Sequence, residues 1–208
     1  ISSFDVVRRA EDIAFGLHGL GIARGDRVAI FAPNSPEWTL TDAGCQFAGV
    51  IDVPIYTTLS SGQVKYILQD SAAKVLFVDT PMAFERVSEA VGECVALEHI
   101  VFFDAAGEMP ENAILLGDLE TRGADLRQRE PDLIAALANA VEPEDIATLI
   151  YTSGTTGEPK GVMLTHTNLI SNAIDASNQL DFSPSDICLS VLPLSHVFER
   201  TGMYLYFV

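Results

Sequence analysis

Positive charge is scarce in this chain: 12 Lys and Arg face 29 Asp and Glu, a formal net charge of −17 over 208 residues. Such a surface repels other polyanions, which excludes nonspecific binding of nucleic acid or of an anionic bilayer. Cysteine is sparse too. Cys45, Cys94 and Cys188 lie far apart, with no Cys-x-x-Cys pair and no Cys/His metal spacing. That excludes a disulfide scaffold and fits a reducing compartment, with the cytoplasm as the expected one. Cys45 and Cys188 sit in apolar segments and read as buried packing residues. No apolar run approaches the roughly 18 residues that would span a bilayer, and no secretory signal pattern is visible. Internal repeats and low-complexity segments are lacking as well.

What is there is a 48% hydrophobic chain, enough for one sizeable core or two small ones. Its most informative stretch is residues 151–162, YTSGTTGEPKGV, directly after the apolar run 146–150. Gly154, Gly157 and Gly161 permit positive φ and close backbone approach to a ligand. Successive backbone N–H groups in such a turn form a nest for an anion. Thr152, Ser153, Thr155 and Thr156 add hydroxyls, and Lys160 adds a compact positive charge. These residue types together make a phosphate-handling loop. It is not the P-loop of nucleotide hydrolases, because Lys160 is followed by Gly161 where a Ser or Thr is required. Nor is it a dinucleotide fingerprint: Gly19, Gly21 and Gly25 have the wrong spacing and precede a strand instead of following one.

The segment resembles the signature of the adenylate-forming enzymes, which include acyl-CoA synthetases, aryl-CoA ligases, luciferases and peptide-synthetase adenylation domains. A second segment, LPLSHVFER at residues 192–200, is similar to that of the long-chain fatty acid–CoA ligase branch. So are GDRVAIFAPNSPEW at residues 25–38 and PIYTTLS at residues 54–60, and the resemblance covers essentially the whole chain. It implies activation of a fatty acid by ATP to acyl-AMP and pyrophosphate, then transfer to CoA. It implies that Thr152, Ser153, Gly154, Thr155, Thr156, Gly157 and Lys160 hold the β- and γ-phosphates. Thr152 is implied as a Mg²⁺ ligand, and His196 as a group orienting the carboxylate and phosphate. Lys160 and His196 are the candidate catalytic residues. The fold implied is a partial N-terminal domain of an adenylate-forming enzyme.

Later motifs of that family do not occur among these 208 residues: the Tyr-Gly-x-Thr-Glu segment, the Thr-Gly-Asp aspartate, the hinge and the catalytic lysine of the small C-terminal domain. The expectation is an incomplete N-terminal ATP- and acyl-binding domain, a fragment without the small C-terminal domain and inactive by itself. Rival readings are an acyl-AMP ligase feeding a carrier protein, an aryl-acid–CoA ligase, and a non-catalytic nucleotide-binding module. The expected partners are fatty acid, ATP and CoA, without nucleic acid and without a transmembrane segment; peripheral membrane association stays open.

Helical and strand patterns alternate, which predicts an α/β layered sandwich around a mostly parallel sheet. Helices are predicted over residues 3–20, 61–70, 81–94, 132–140 and from 195; another is capped by Asn34 or Ser35, has Pro36 near its first turn and runs to about 48, and another is capped by Thr165 or Thr167 and runs to about 179. Strands are predicted over residues 27–32, 50–56, 74–79, 99–103, 146–152 and 187–191. Residues 118–122 read as a short helical turn, and 122–131 as a soft joint. Residues 26–182 are expected to form one subdomain, with 1–25 and 186–208 as parts of a second. His166 reads as a structural donor to the loop backbone, and His18 and His99 as surface or strand-edge residues. Glu199 and Arg200 read as an adjacent surface pair, with a phosphate contact as the alternative. Trp38 and Tyr56 read as core or seam residues. Phe198, Met203, Tyr204 and Phe207 line either an acyl channel or the core of their helix.

Overall fold

The computed structural model describes residues 2–111, 113–152, 158–180, 183 and 185–207. In chain order these form α1 (Ser3–Gly19), β1 (Arg27–Phe31), α2 (Pro36–Ala48), β2 (Ile51–Pro54), α3 (Ser61–Ser71), β3 (Val75–Val78), α4 (Pro81–Glu85), α5 (Ser88–Gly92), β4 (His99–Phe102), β5 (Ile114–Leu115), α6 (Leu116–Arg129), α7 (Leu133–Ala140), β6 (Ile146–Thr152), β7 (Lys160–Thr165), α8 (His166–Gln179) and α9 (Val197–Tyr204). The strands make one sheet in the order β5-β4-β3-β1-β2-β6-β7. Every neighbouring pair is parallel except β6 with β7.

Strand alternation builds two cores, one on each face. Val28 and Ile30 of β1, with Val75 and Phe77 of β3, face α1, α2 and α6. Ala29 and Phe31, with Leu76 and Val78, face α3, α4 and α5. This is the period of two expected of strands buried on both faces by crossover helices.

Local signals set several helix ends. Ser2 caps α1 reciprocally with Asp5. Ser35 caps α2, Pro36 opens it, and Gly49 closes it at φ 66°.

Five elements differ from the sequence expectation, one of them β5, which has no counterpart in the sequence reading. Residues 81–94 form two short helices instead of one; the Ser88 hydroxyl donates to the Glu85 carbonyl at the break, in competition with the backbone ladder. Residues 118–122 belong to the 14-residue helix α6, which runs through most of the supposed soft joint. Strand β7 has no counterpart in the sequence reading. Residues 187–191 form no strand, and Ile187, Leu189 and Val191 are exposed.

Residues 1–25 are also not set apart from β1. Helix α1 buries Ala14 and Leu17 in the same core as Val28, packed against α2 and α6. Gly16 and Gly123 allow this close approach: a Cβ at Gly123 would lie 1.7 Å from the Asp12 carbonyl oxygen. Arg127 Nε donates to Asp12 Oδ1 at 2.9 Å across the same seam.

Candidate active site

β6 and β7 form an antiparallel hairpin whose last pair is Thr152 with Lys160. Both side chains are exposed. Thr152 ends β6, so the pair sits at the carboxyl end of a parallel strand, the end beyond which ligands of open α/β sheets bind. Ser153, Gly154, Thr155, Thr156 and Gly157 lie outside the described residues.

The base of the hairpin is braced. The Tyr151 hydroxyl donates to Asp70 Oδ2 of α3 at 2.6 Å. Burial and the Asp70 carboxylate together push the Tyr151 phenol well above its usual range. Gly161 pairs with Tyr151, and a Cβ there would come within 3.1 Å of the tyrosine ring. Gly161 is thus a strand residue that makes room for a ring, and it is not among the positive-φ glycines, a role different from the loop flexibility read in the sequence.

His196 is the N-cap of α9. Its ring is exposed, and Nδ1 accepts from the Phe198 backbone N–H at 3.2 Å. With Nδ1 accepting, the neutral ring carries its proton on Nε2. The segment before it is tied to the end of β1. Asn34 Oδ1 accepts from Leu194 N–H at 2.8 Å, and Asn34 Nδ2 donates to the Leu192 carbonyl at 2.7 Å. Asn34 follows β1, so residues 192–194 and the hairpin mouth both lie toward the carboxyl ends of parallel strands. The ladder pairs Thr152 with Lys160; no hydrogen bond or ion pair joins His196 to either among the described residues. His196 instead opens onto a groove of about 750 Å³ walled by Leu164, Leu169, Phe198, Met203 and Cys188. Phe198 and Phe207 are exposed and are not helix core, whereas Met203 packs partly against the first core. Cys188 is exposed, contrary to the packing role read in the sequence, while Cys45 is buried.

Arg200 is the residue that sequence reasoning misplaced. It is fully buried rather than a surface partner of Glu199. Its Nη2 donates to Asp42 Oδ1 of α2 at 2.7 Å and to the Tyr204 hydroxyl at 2.7 Å; its Nη1 donates to Thr148 Oγ1 of β6 at 2.9 Å. Nη2 also lies 2.7 Å from Asp52 Oδ2 without hydrogen-bond alignment, and the aligned contact to Asp52 Oδ1 is longer, 3.4 Å. The guanidinium stands 5.6 Å from the Trp38 ring centre. Burial drives the Asp52 carboxyl well above its usual range against the pull of Arg200. Desolvation opposes the charge on Arg200, yet Asp42 and Asp52 hold it protonated. A signal was present: Asp42 and Asp52 interrupt apolar runs, and buried carboxylates call for a cation.

His166 opens α8, and its ring lines an apolar cavity of about 450 Å³ between α2, α7 and α8. Burial lowers its pKa below 6.5. Its backbone N–H donates to the Asp145 carbonyl at 3.2 Å.

The family model described as AMP-binding enzyme matches residues 2–208. Fatty acyl-CoA synthetase A of Dictyostelium discoideum is 36% identical over 92% of this chain and 29% of its own length. The long-chain-fatty-acid–CoA ligase FadD15 of Mycobacterium bovis is 40% identical over 90% of this chain and 30% of its own. Among solved structures, ATP-bound MatB from Rhodopseudomonas palustris superposes with a TM-score of 0.77 at 27% identity, over 99% of this chain and 38% of that one. The chain therefore spans about three-tenths of the length of these curated relatives.

Proposed function

This chain belongs to the AMP-binding enzyme family, and from that premise we propose that it is the N-terminal part of an AMP-forming ligase that activates a long-chain fatty acid with ATP and passes the acyl group to CoA. The observation that carries the reading is the hairpin mouth, where Thr152 and Lys160 stand opposite each other in the β6–β7 ladder at the carboxyl end of a parallel strand, both side chains exposed. Two of the relatives bear names of that activity. On this reading the 208 residues are an incomplete ATP- and acyl-binding domain that makes no acyl-adenylate by itself. The cytoplasm is the compartment. No helix among the described residues is long and apolar enough to cross a membrane.

The chemistry assigns each group a task. A fatty carboxylate oxygen attacks the α-phosphorus of ATP; an O–P bond forms, the bridging P–O bond to the β-phosphate breaks, and pyrophosphate leaves. Negative charge grows on the β- and γ-phosphates, and fixed positive charge there stabilises the transition state. Lys160 supplies that charge. Thr152, with Ser153, Gly154, Thr155, Thr156 and Gly157, supplies hydroxyl and backbone donors. His196 presents Nε2–H as a donor that orients the carboxylate or the phosphate. The groove beside it suits an alkyl chain, because its walls are mostly apolar, with His196 and Glu199 as polar groups among them. A magnesium ion fits only as a shared ligand here. Thr152 offers one oxygen, and no cluster of three His, Cys, Asp or Glu able to hold a metal occurs among the described residues. The Thr152 hydroxyl would be the chain's own ligand to such an ion, which would supply further charge neutralisation when bound.

Lys160→Ala in the full-length enzyme tests the assignment. ATP–pyrophosphate exchange should fall by about 10²-fold, the scale seen when one transition-state donor is removed, with the unfolding midpoint unchanged because the side chain is exposed. Unaltered exchange would overturn it. Supplying CoA or an acyl carrier protein to enzyme charged with labelled fatty acid identifies the acceptor.

A further inference from the structure

We propose that Asn34 and Arg200 are positioning residues that mount His196 from its two sides, an inference that rests on the role given to His196 above. Asn34 acts on the incoming chain. Residues 187–192 join no strand. The Asn34 carboxamide nonetheless meets this backbone as a neighbouring strand would. It accepts from Leu194 N–H at 2.8 Å, donates to the Leu192 carbonyl at 2.7 Å, and donates to Ser190 Oγ at 3.2 Å. One side chain thus fixes the main chain two residues before His196. It is free to do so because Ser35, not Asn34, caps α2.

Arg200 acts on the outgoing chain. It lies one helical turn after His196, and its backbone N–H donates to the His196 carbonyl. Its guanidinium is the meeting point of α2 through Asp42, β2 through Asp52 and β6 through Thr148. Thr148 is on the strand that ends at Thr152. A single buried cation therefore ties the histidine-bearing helix to the strand that delivers the phosphate loop. Buried ion groups of this kind add little stability over an apolar replacement, whereas a fixed fork of five donors holds orientation well. Displacing a catalytic group by about 1 Å can cost 10²-fold in rate, which gives such a mount its value.

The test is a set of double-mutant cycles in the full-length enzyme, read by ATP–pyrophosphate exchange and by thermal unfolding. Asn34→Ala removes an exposed side chain and its hydrogen bonds to residues 190–194, so its unfolding midpoint should fall only slightly, by less than that of Arg200→Lys. Its kcat should fall about 10-fold with the KM for ATP changed less than about two-fold. Arg200→Lys keeps the charge and loses the fork; its kcat should fall at least as far, with some loss of stability. In a His196→Ala background both substitutions should lower the rate by less than about two-fold, while the stability loss of Arg200→Lys persists. Equal fold-losses in both backgrounds would overturn the mount and leave the role of His196 standing. An unchanged rate in Asn34→Ala would also overturn it. If His196→Ala alone leaves exchange intact, the role of His196 fails and the mount fails with it.

Discussion

The fold sets the charge of His166, a single side chain far from the loop. Its ring is half-buried against an apolar cavity, and burial depresses its pKa below 6.5. As pH falls through about 6.5 the unfolded chain takes up a proton that the folded chain refuses, so stability drops until the folded pKa is passed. Denaturant midpoints measured from about pH 7 to about pH 5 should therefore decline, and His166→Gln should flatten the decline. An unchanged slope would show that other groups carry it. Arg200 makes the opposite case, a charge that the fold requires. Arg200→Met leaves Asp42 and Asp52 buried without their cation and should cost about 3–5 kcal/mol, read from urea unfolding. Adding Asp42→Asn and Asp52→Asn should recover part of that loss, since the uncompensated charge is its source. At this scale the sequence was legible where chemistry is exposed, at Thr152 and Lys160, and misleading where it is buried. Arg200 next to Glu199 looks like a surface pair until two distant carboxylates are brought beneath it.

Elements were legible where apolar runs or caps mark them. β6 matches its expected range, and α2 is bounded by Ser35, Pro36 and Gly49. α6 was hidden because its outer face is charged and Gly123 reads as a breaker, although that glycine is where α1 passes closest. Gly123→Ala should force the two helices apart and destabilise the protein by about 3 kcal/mol, near the upper end for overpacking; a loss within error would mean that the seam is looser than the contact implies. β7 was hidden for another reason. It is mostly exposed, so no alternation of apolar and polar residues announces it, and only its pairing with β6 makes it a strand. Residues 187–191 err the other way: their apolar pattern suits a buried strand, yet no sheet edge meets them.

Taken whole, the molecule carries its acidity on a sheet whose layers are otherwise ordinary. A net charge of −17 repels itself in the compact state. Raising ionic strength from about 0.01 M to about 0.15 M shortens the screening length from about 30 Å to about 8 Å. The unfolding midpoint at neutral pH should rise over that range; a fall would mean that surface ion pairs such as Arg24–Asp145 outweigh the repulsion. The layered α/β class was legible from the alternation of elements, whereas placing α1 in the same core as β1 required the packing itself. The hairpin has one more consequence. Thr152 and Lys160 are held opposite each other by the ladder beneath them, with residues 153–159 between. Bringing the ends of such a loop together costs about 2 kcal/mol of chain entropy. Here strand pairing has met that cost before any phosphate arrives, so a ligand spends none of its binding energy on joining the two ends.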